Sequence, residues 1–250
     1  MYIPIALAAI TTLTYAFALI DRAFHRRGLL KPYYGVHVIH NAGIVILTAY
    51  DVWLSMTQFH HVATLPVNGA AICLCYALHL YHTVLYWREF HADDWIHHIS
   101  MIAVALPLGC TVPAGPLLGF SLFFTTGLPG GVVYGLMFAE RNGWITKAAS
   151  RPWCKAVNLW MRAPGCCAHA ALTWASVLSA PTGSITAWQF FVAAITGGLN
   201  LWNGQYFLDE VIRAANRIED ETAAARNTAR LLATGAPTMD QGQIQAPHAE

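Results

Sequence analysis

Long runs of apolar residues, separated by short polar stretches, dominate the chain as far as residue 208. A helix needs about 20 mostly apolar residues to cross the hydrocarbon core of a bilayer. Seven stretches meet or approach that length, and they cover residues 2–20, 36–55, 65–87, 95–110, 117–139, 165–180 and 186–208. The pattern therefore predicts an all-α polytopic membrane protein, with seven transmembrane helices within residues 1–208.

A different pattern follows the last apolar run. Ala, Arg and Glu become frequent, and apolar side chains recur at helical spacing up to Leu232, shortly before Gly235. This spacing predicts an amphipathic surface helix over residues 209–235. The remaining residues, 236–250, form a polar tail that is not expected to fold by itself.

Composition agrees with a lipid environment for most of the chain. Hydrophobic residues make up 56% of the 250 residues and charged residues only 11%, whereas a soluble domain has roughly 25% charged residues. Many of these charges lie from Asp209 onward, so too few remain to cover a water-soluble surface. The net charge of +1 and the absence of a long basic stripe argue against nucleic acid as a partner.

The positions of the 14 Lys and Arg residues test the number of helices independently. They fall in the first, third and fifth connections and in the C-terminal segment, which lie on one side of a seven-helix layout. Cytoplasmic loops carry an excess of Lys and Arg, so the N-terminus is predicted outside and the C-terminus inside. A wrong helix count would scatter these charges over both faces.

Seven of the twelve histidines lie near the predicted inner ends of three consecutive helices. They are His37 and His40 on the second helix, His79 and His82 on the third, and His91, His97 and His98 around the start of the fourth. Residues three apart share a helix face, so each pair can direct both rings to one side. Polar groups at membrane depth usually face the bundle interior or a water-filled cavity. The spacing predicts a pocket lined by imidazoles.

Asp94 precedes His97 and His98 by three and four positions, on the same helix face. A carboxylate one turn before a histidine can accept its ring N–H, fix the tautomer and raise the basicity of the ring. These three residues are therefore the candidate catalytic group, with a histidine as general base or nucleophile. A histidine near a helix end can also lie in the headgroup region without any catalytic role.

The six cysteines do not indicate a disulfide framework or a metal site. No CxxC motif and no Cys/His zinc spacing occurs. Free cysteine is commonly buried as a small apolar residue, so we expect all six to serve packing.

Three segments resemble the TLC superfamily, which contains the ceramide synthases and the TRAM translocon proteins. The first, YALHLYHTVLYWREFHADDWIHHISMIAVALPLG from Tyr76 to Gly109, is similar to the central motif, in which an acidic residue precedes a His pair at a helix start. FTTGLPGGVVYGLMF and LNLWNGQYFLDEVI are similar to later TLC segments. The resemblance covers roughly residues 30–212.

In ceramide synthases the paired histidines serve acyl transfer from acyl-CoA to a sphingoid amine. The resemblance implies a TLC-type bundle that binds membrane lipid, with acyl-CoA as a substrate if the protein is an enzyme. His97 and His98 match the histidine pair, and Asp94 matches the preceding acid approximately in spacing. An endomembrane of the endoplasmic reticulum type is the location implied for such an enzyme.

Two alternatives stay open. Ceramide synthases carry further acidic residues after the His pair, whereas this chain has no Asp or Glu between Asp94 and Glu140. The chain could then be a non-catalytic TLC-derived subunit of a large membrane complex, such as a respiratory supercomplex of the mitochondrial inner membrane. Residues 209–250 would contact its partners. A His-ligated iron or zinc lipid enzyme is the other alternative, because imidazole binds both metals.

Overall fold

The computed structural model describes residues 3–59, 62, 65–111, 115–181 and 183–234, with the backbone alone for Asp93 and Thr111. All regular secondary structure within these ranges is helical. The polar tail predicted over residues 236–250 lies outside the described residues.

The helices join into seven rods within the part of the chain that the structure describes. The first three rods are α1 (Ile3–Arg26), α2 (Pro32–Thr57) and α3 (Gly69–Tyr86), the last of which continues into a 3₁₀ turn, Trp87–Glu89. The next three rods each consist of two α-helices, which are α4 (Ala92–Ile99) with α5 (Leu106–Thr111), α6 (Pro116–Leu122) with α7 (Leu128–Arg141), and α8 (Lys147–Val157) with α9 (Ala163–Leu178). The last rod is α10 (Ala187–Thr234).

A π-helical segment joins the two α-helices of each composite rod. These segments are Ser100–Ala105, Phe123–Gly127 and Asn158–Arg162. In each case the next helix has a proline at its second position: Pro107, Pro129 and Pro164. Proline has no backbone N–H and clashes with the carbonyl four residues earlier. The residue before each proline bonds instead to the carbonyl five residues back, which keeps the rod continuous across the proline.

Among the described residues, four helices are long and apolar enough to cross a membrane, which is typical of an integral membrane protein. They are Ile3–Arg26, Pro32–Thr57, Gly69–Glu89 and Pro116–Arg141. The other three rods begin or end in polar sequence, as with the acidic residues and histidines at the start of α4. The predicted count of seven spans and the predicted orientation of the termini remain predictions.

The rods pack around α2, which contacts α1, α3, α6 and α7. An apolar core between α1, α2 and α3 contains Phe17, Val36, Ile44, Leu78 and Tyr81. On the other side of the molecule α9 packs along the first part of α10. This arrangement places the predicted histidines of α2, α3 and α4 next to one another.

Two boundaries differ from the sequence-based predictions. The third helix begins at Gly69 because the Asn68 side chain caps it by accepting the Ala71 N–H at 3.2 Å. The predicted surface helix over 209–235 is not a separate element, since α10 runs without a break from Ala187 to Thr234. No Gly or Pro interrupts this helix after Gly204, and its second part is rich in Ala, Arg and Glu, which are strong helix formers.

Candidate functional site

Five imidazoles from three helices lie side by side and form what we call the histidine cluster. Its members are His37 of α2, His79 and His82 of α3, and His97 and His98 of α4. Ring centroids are 5.3 Å apart for His37 and His82, and 4.9 Å apart for His82 and His98. The ring of His79 lies 5.2 Å from that of His98 and 5.4 Å from that of His97. The structure therefore brings together five of the eight site residues predicted from the sequence.

A hydrogen bond links the two central rings of the cluster. His82 Nδ1 and His98 Nε2 are 3.0 Å apart, so one ring donates its N–H to the other. His98 is buried, and its second nitrogen, Nδ1, has no hydrogen-bond partner within the described residues. The ring of His98 stacks on that of Phe90, with centroids 4.6 Å apart. The pair thus combines a path for proton exchange with one ring nitrogen that no protein group occupies.

Two further rings have their tautomers set by backbone carbonyls. His37 Nδ1 lies 2.7 Å from the Tyr33 carbonyl oxygen, and His79 Nδ1 lies 2.8 Å from the Cys75 carbonyl oxygen. A carbonyl oxygen only accepts, so each Nδ1 carries the hydrogen and donates it. In a neutral ring Nε2 is then the basic nitrogen. Neither Nε2 bonds to another group of the described chain, so both are available to a ligand.

A buried carboxylate that the sequence-based prediction omitted lies behind the cluster. Asp21 Oδ2 accepts hydrogen bonds from the Tyr81 hydroxyl at 2.5 Å and from the Tyr86 hydroxyl at 2.6 Å. The Tyr86 ring is 5.3 Å from the ring of His82. A charged residue near the C-terminal end of the first apolar run was the signal available in the sequence, because intramembrane charges usually have partners.

Tyrosine rings cover the sides of the cluster. Tyr33 stacks on His82 with centroids 5.2 Å apart, and Tyr134 of α7 stacks on His37 at 4.3 Å. A tyrosine combines an apolar ring with a hydroxyl at one end. The cluster is therefore flanked by apolar rings that carry hydroxyl groups.

Three of the predicted site residues are not part of the cluster. The His40 ring faces Asn41 and Phe17, with Nδ1 2.8 Å from Asn41 Oδ1. His91 is exposed at the start of α4. Asp94 accepts the backbone N–H of His91 at 3.0 Å and so caps α4. No hydrogen bond joins Asp94 to His97 or His98 in the described part of the chain, which differs from the contact that the spacing suggested.

The arrangement of His, Cys, Asp and Glu side chains bears on the metal-dependent alternative. No group of three or more His, Cys, Asp or Glu side chains has an arrangement that could hold a metal ion, as far as the described residues extend. All six cysteines are unpaired, and four of them are buried. The metal-dependent alternative gains no support from these side-chain positions.

A second set of buried polar groups, which we call the His169–Asn200 network, lies between α6, α9 and α10. Asn200 Nδ2 is 2.7 Å from His169 Nδ1 and donates also to Ser121 Oγ at 2.8 Å. His169 Nε2 lies 3.2 Å from Thr173 Oγ1. Because the amide nitrogen donates to Nδ1, Nε2 carries the hydrogen and donates to Thr173. Both ring nitrogens of His169 are therefore occupied by the protein itself.

Comparisons with protein-family models, with curated proteins and with solved structures find no match to this chain. The resemblance to the TLC superfamily thus stays a prediction from sequence. Function has to be argued from the geometry of the histidine cluster.

Proposed function

We propose that this integral membrane protein is an acyltransferase of the ceramide synthase type, which moves an acyl group from acyl-CoA to the amine of a membrane lipid. The observation that carries the proposal is the hydrogen-bonded pair of His82 and His98, in which one nitrogen of His98 is buried and unpartnered. A general base needs an unoccupied nitrogen close to the proton that it removes. The proposed location is an endomembrane of the endoplasmic reticulum type.

The proposed reaction uses the His82–His98 pair as its base. In the productive tautomer His98 Nε2 donates to His82 Nδ1, which leaves the lone pair on His98 Nδ1. The amine nitrogen attacks the thioester carbonyl, the C–N bond forms, and the amine proton passes to His98 Nδ1. The C–S bond then breaks, and the thiolate of CoA takes up the proton from the imidazolium. The products are an amide and the free thiol, so atoms and charge balance.

Two features of the surroundings act on the positive charge that this pair gains. The proton that His98 gains can be shared with His82 through their 3.0 Å contact. The carboxylate of Asp21 lies behind Tyr86, the neighbour of His82, and a nearby negative charge stabilises a positive one. Burial of His98 keeps water away from the thioester, which would otherwise be hydrolysed.

The proposed topology follows from the same rods. We assign one membrane crossing to each of the seven rods, with the N-terminus outside and the C-terminus inside. Under this assignment Asp21, at the end of α1, and the histidine cluster lie at similar depth near the inner face. Acyl-CoA is water-soluble and would reach these residues from the cytoplasmic side.

Acyl-CoA consumption by purified membranes that contain the protein tests the proposal. With a sphingoid amine as acceptor, the substitution His98→Ala should lower the rate of acyl-CoA consumption by roughly 10²- to 10⁴-fold, since that is the usual contribution of one general base. The matched control is His25→Ala, because His25 is exposed at the end of α1 and lies outside the cluster. Equal rates for His98→Ala and the unaltered protein would refute the proposal.

A second function is favoured by one observation on α10. Its last turns, residues 223–234, are exposed throughout, and Leu232 has 74% of its surface exposed. An unpacked helix end of this kind suits a non-catalytic subunit of a large membrane complex, such as a respiratory supercomplex of the mitochondrial inner membrane. Removing residues 227–250 should then abolish comigration with a complex on a native gel. A truncated protein that still comigrates would contradict this role.

A further inference from the structure

Arg162 is a buried cation without an acidic partner. It ends the π-helical segment Asn158–Arg162, and only 8% of its surface is exposed. Nη1 donates to Asn158 Oδ1 at 2.9 Å, and the guanidinium lies 5.1 Å from the centre of the Phe207 ring. It forms no ion pair within the described residues, and its Nε has no hydrogen-bond partner there. Buried charges are normally paired, so Arg162 is suited to bind an anion that the chain itself does not supply within the described residues.

Asn41 supplies a second unpartnered donor on α2. Its side chain is fully buried, and Nδ2 bonds to no group in the described part of the chain. Oδ1 accepts from the Thr126 hydroxyl at 3.0 Å, which fixes the orientation of the amide. The NH₂ group is therefore held in place without a protein acceptor. A buried donor left in this way costs about 1 to 3 kcal/mol unless a ligand satisfies it.

The two donors converge on Gly130 of α7. A Cβ atom at Gly130 would lie 2.8 Å from Asn41 Nδ2 and 3.7 Å from Arg162 Nη2. The lack of a side chain at this position leaves both nitrogens facing the same backbone surface. A cation and an amide directed at one point are the groups that bind an oxyanion.

The donors are also close to the histidine cluster. Tyr134 lies four residues after Gly130 on α7, hence on the same face of that helix, and it stacks on His37 at 4.3 Å. His40, next to Asn41, bonds to its Oδ1 at 2.8 Å. Asn41 therefore contacts one imidazole directly, and Tyr134 connects the helix face of Gly130 with the ring of His37.

We propose that Arg162 and Asn41 form a binding site for a phosphate group of the substrate. The phosphate belongs either to the headgroup of an acidic lipid or to the CoA part of an acyl-CoA, and both present the same oxyanion. The inference rests on the proposed function, which supplies the identity of the rest of the substrate molecule beyond its phosphate. It deepens that function by placing the charged end of the substrate beside α7. Bidentate contact to phosphate is a usual role of arginine.

Thermal unfolding of the full-length protein in neutral detergent tests the site. The probes are short-chain phosphatidic acid, CoA and inorganic phosphate, with short-chain diacylglycerol as the uncharged comparison. A phosphate-bearing probe at saturation should raise the melting temperature by at least about 2 to 4 °C, because it binds only the folded protein. Stabilisation by phosphatidic acid assigns the site to a lipid headgroup, and stabilisation by CoA assigns it to acyl-CoA. No stabilisation by any phosphate-bearing probe, or equal stabilisation by diacylglycerol, would overturn the inference.

Two pairs of variants locate the response. Arg162→Met should abolish the stabilisation, whereas Arg151→Met should keep it, because Arg151 pairs with Glu140 at 3.4 Å. Gly130→Ala should abolish it as well, since the added methyl group meets Asn41 Nδ2, whereas Gly131→Ala meets only the Cβ of Asn41 at 3.4 Å and should keep it. If Arg162→Met does not fold, the glycine pair decides. An undiminished response in Gly130→Ala or in a folded Arg162→Met would overturn the site.

Melting of the variants without ligand distinguishes a phosphate site from a purely structural role of Arg162. The His98→Ala variant distinguishes the phosphate site from the proposed reaction. Without ligand, Arg162→Met should melt no lower than the unaltered protein, because an unpaired buried charge has been removed. A purely structural Arg162 predicts a lower melting temperature and no phosphate response in the unaltered protein. His98→Ala should lose turnover and keep the phosphate response. Turnover without any phosphate response overturns this site alone, and a phosphate response without turnover overturns the proposed reaction alone.

Discussion

The histidine cluster and the His169–Asn200 network both connect helices of the bundle, but they satisfy their ring nitrogens differently. Both nitrogens of His169 bond to side chains, those of Asn200 and Thr173. In the cluster, His98 Nδ1 is buried without a partner, and the tautomers of His37 and His79 leave Nε2 unbonded among the described residues. Saturated ring nitrogens hold helices together, whereas unsaturated ones can exchange protons with a ligand.

The two regions also differ in how closely their helices pack. Glycines bring α9 and α10 close to their neighbours: a Cβ at Gly197 would meet the Trp174 indole, and one at Gly204 would meet Cys166. The cluster is lined instead by aromatic rings and the hydroxyls of Tyr81 and Tyr86. His169, with both ring nitrogens bonded, belongs to a tightly packed contact, and the cluster belongs to a polar, aromatic region. Burial of a histidine alone does not distinguish these roles.

The largest effect on stability is expected at Asp21, on which the aromatic side of the cluster depends. Asp21→Leu leaves the Tyr81 and Tyr86 hydroxyls without their acceptor. At about 1 to 3 kcal/mol for each unsatisfied group, the free energy of unfolding should fall by about 2 to 6 kcal/mol. Thermal unfolding in detergent measures the change. Asp21→Asn retains an oxygen acceptor and should lose less than half as much, so equal losses for both variants would contradict this account.

An intermediate effect is expected from overpacking the second region. A methyl group at Gly165 would overlap the Phe124 ring, so Gly165→Ala should lower the free energy of unfolding by about 1 to 3 kcal/mol. Gly198→Ala is the matched control, because among the described residues nothing outside its own stretch of helix lies within 4 Å of the added methyl group. Alanine is the better helix former, so this control should melt no lower than the unaltered protein. Equal melting temperatures of the two variants would contradict the account that α9 is closely packed at Gly165.

The smallest effect is expected at Asp94. Asp94→Ala removes the cap on the His91 N–H and should lower the free energy of unfolding by about 1 kcal/mol. Since Asp94 caps α4 instead of bonding to a ring of the cluster, acyl-CoA turnover should change by less than about tenfold. Turnover measured beside the melting temperature decides between the two roles. A much larger loss of turnover at unchanged stability would assign Asp94 the catalytic role that its spacing suggests.

Much of the fold follows from local sequence patterns. Apolar runs mark the positions of the rods, and a polar residue such as Asn68 marks a helix start through a contact three residues away. The continuity of α10 past residue 208 differs from the predicted boundary, because the change of composition there marks the end of the apolar sequence and not the end of the helix. Helix formation requires only suitable residues, and the segment after Gly204 has them without Gly or Pro.

The sequence predicted members of the candidate site only where the spacing of residues along one helix determines which side chains share a face. His79 and His82 share a face of α3 and both reach His98, whereas His40 of the pair with His37 turns to Phe17. Partners distant in sequence were missed, because no local pattern relates Asp21 to Tyr81 or Asn200 to His169. Arg162 was counted among the charges of a connecting segment, yet it is buried. A positive charge in a sequence does not reveal whether the tertiary structure covers it.

The most direct test compares His98→Ala with His169→Ala in the same membranes, by acyl-CoA turnover and by melting temperature. Each substitution removes one buried imidazole, so the two variants are matched in chemistry and differ in whether the ring nitrogens are saturated. We expect His98→Ala to lose roughly 10²- to 10⁴-fold in turnover. We expect His169→Ala to keep most of its turnover and to melt several degrees lower, since the groups it leaves unpaired cost about 1 to 3 kcal/mol. Equal turnover in both variants would contradict the central claim that the unsaturated histidine cluster, and not burial of histidine as such, is the working site.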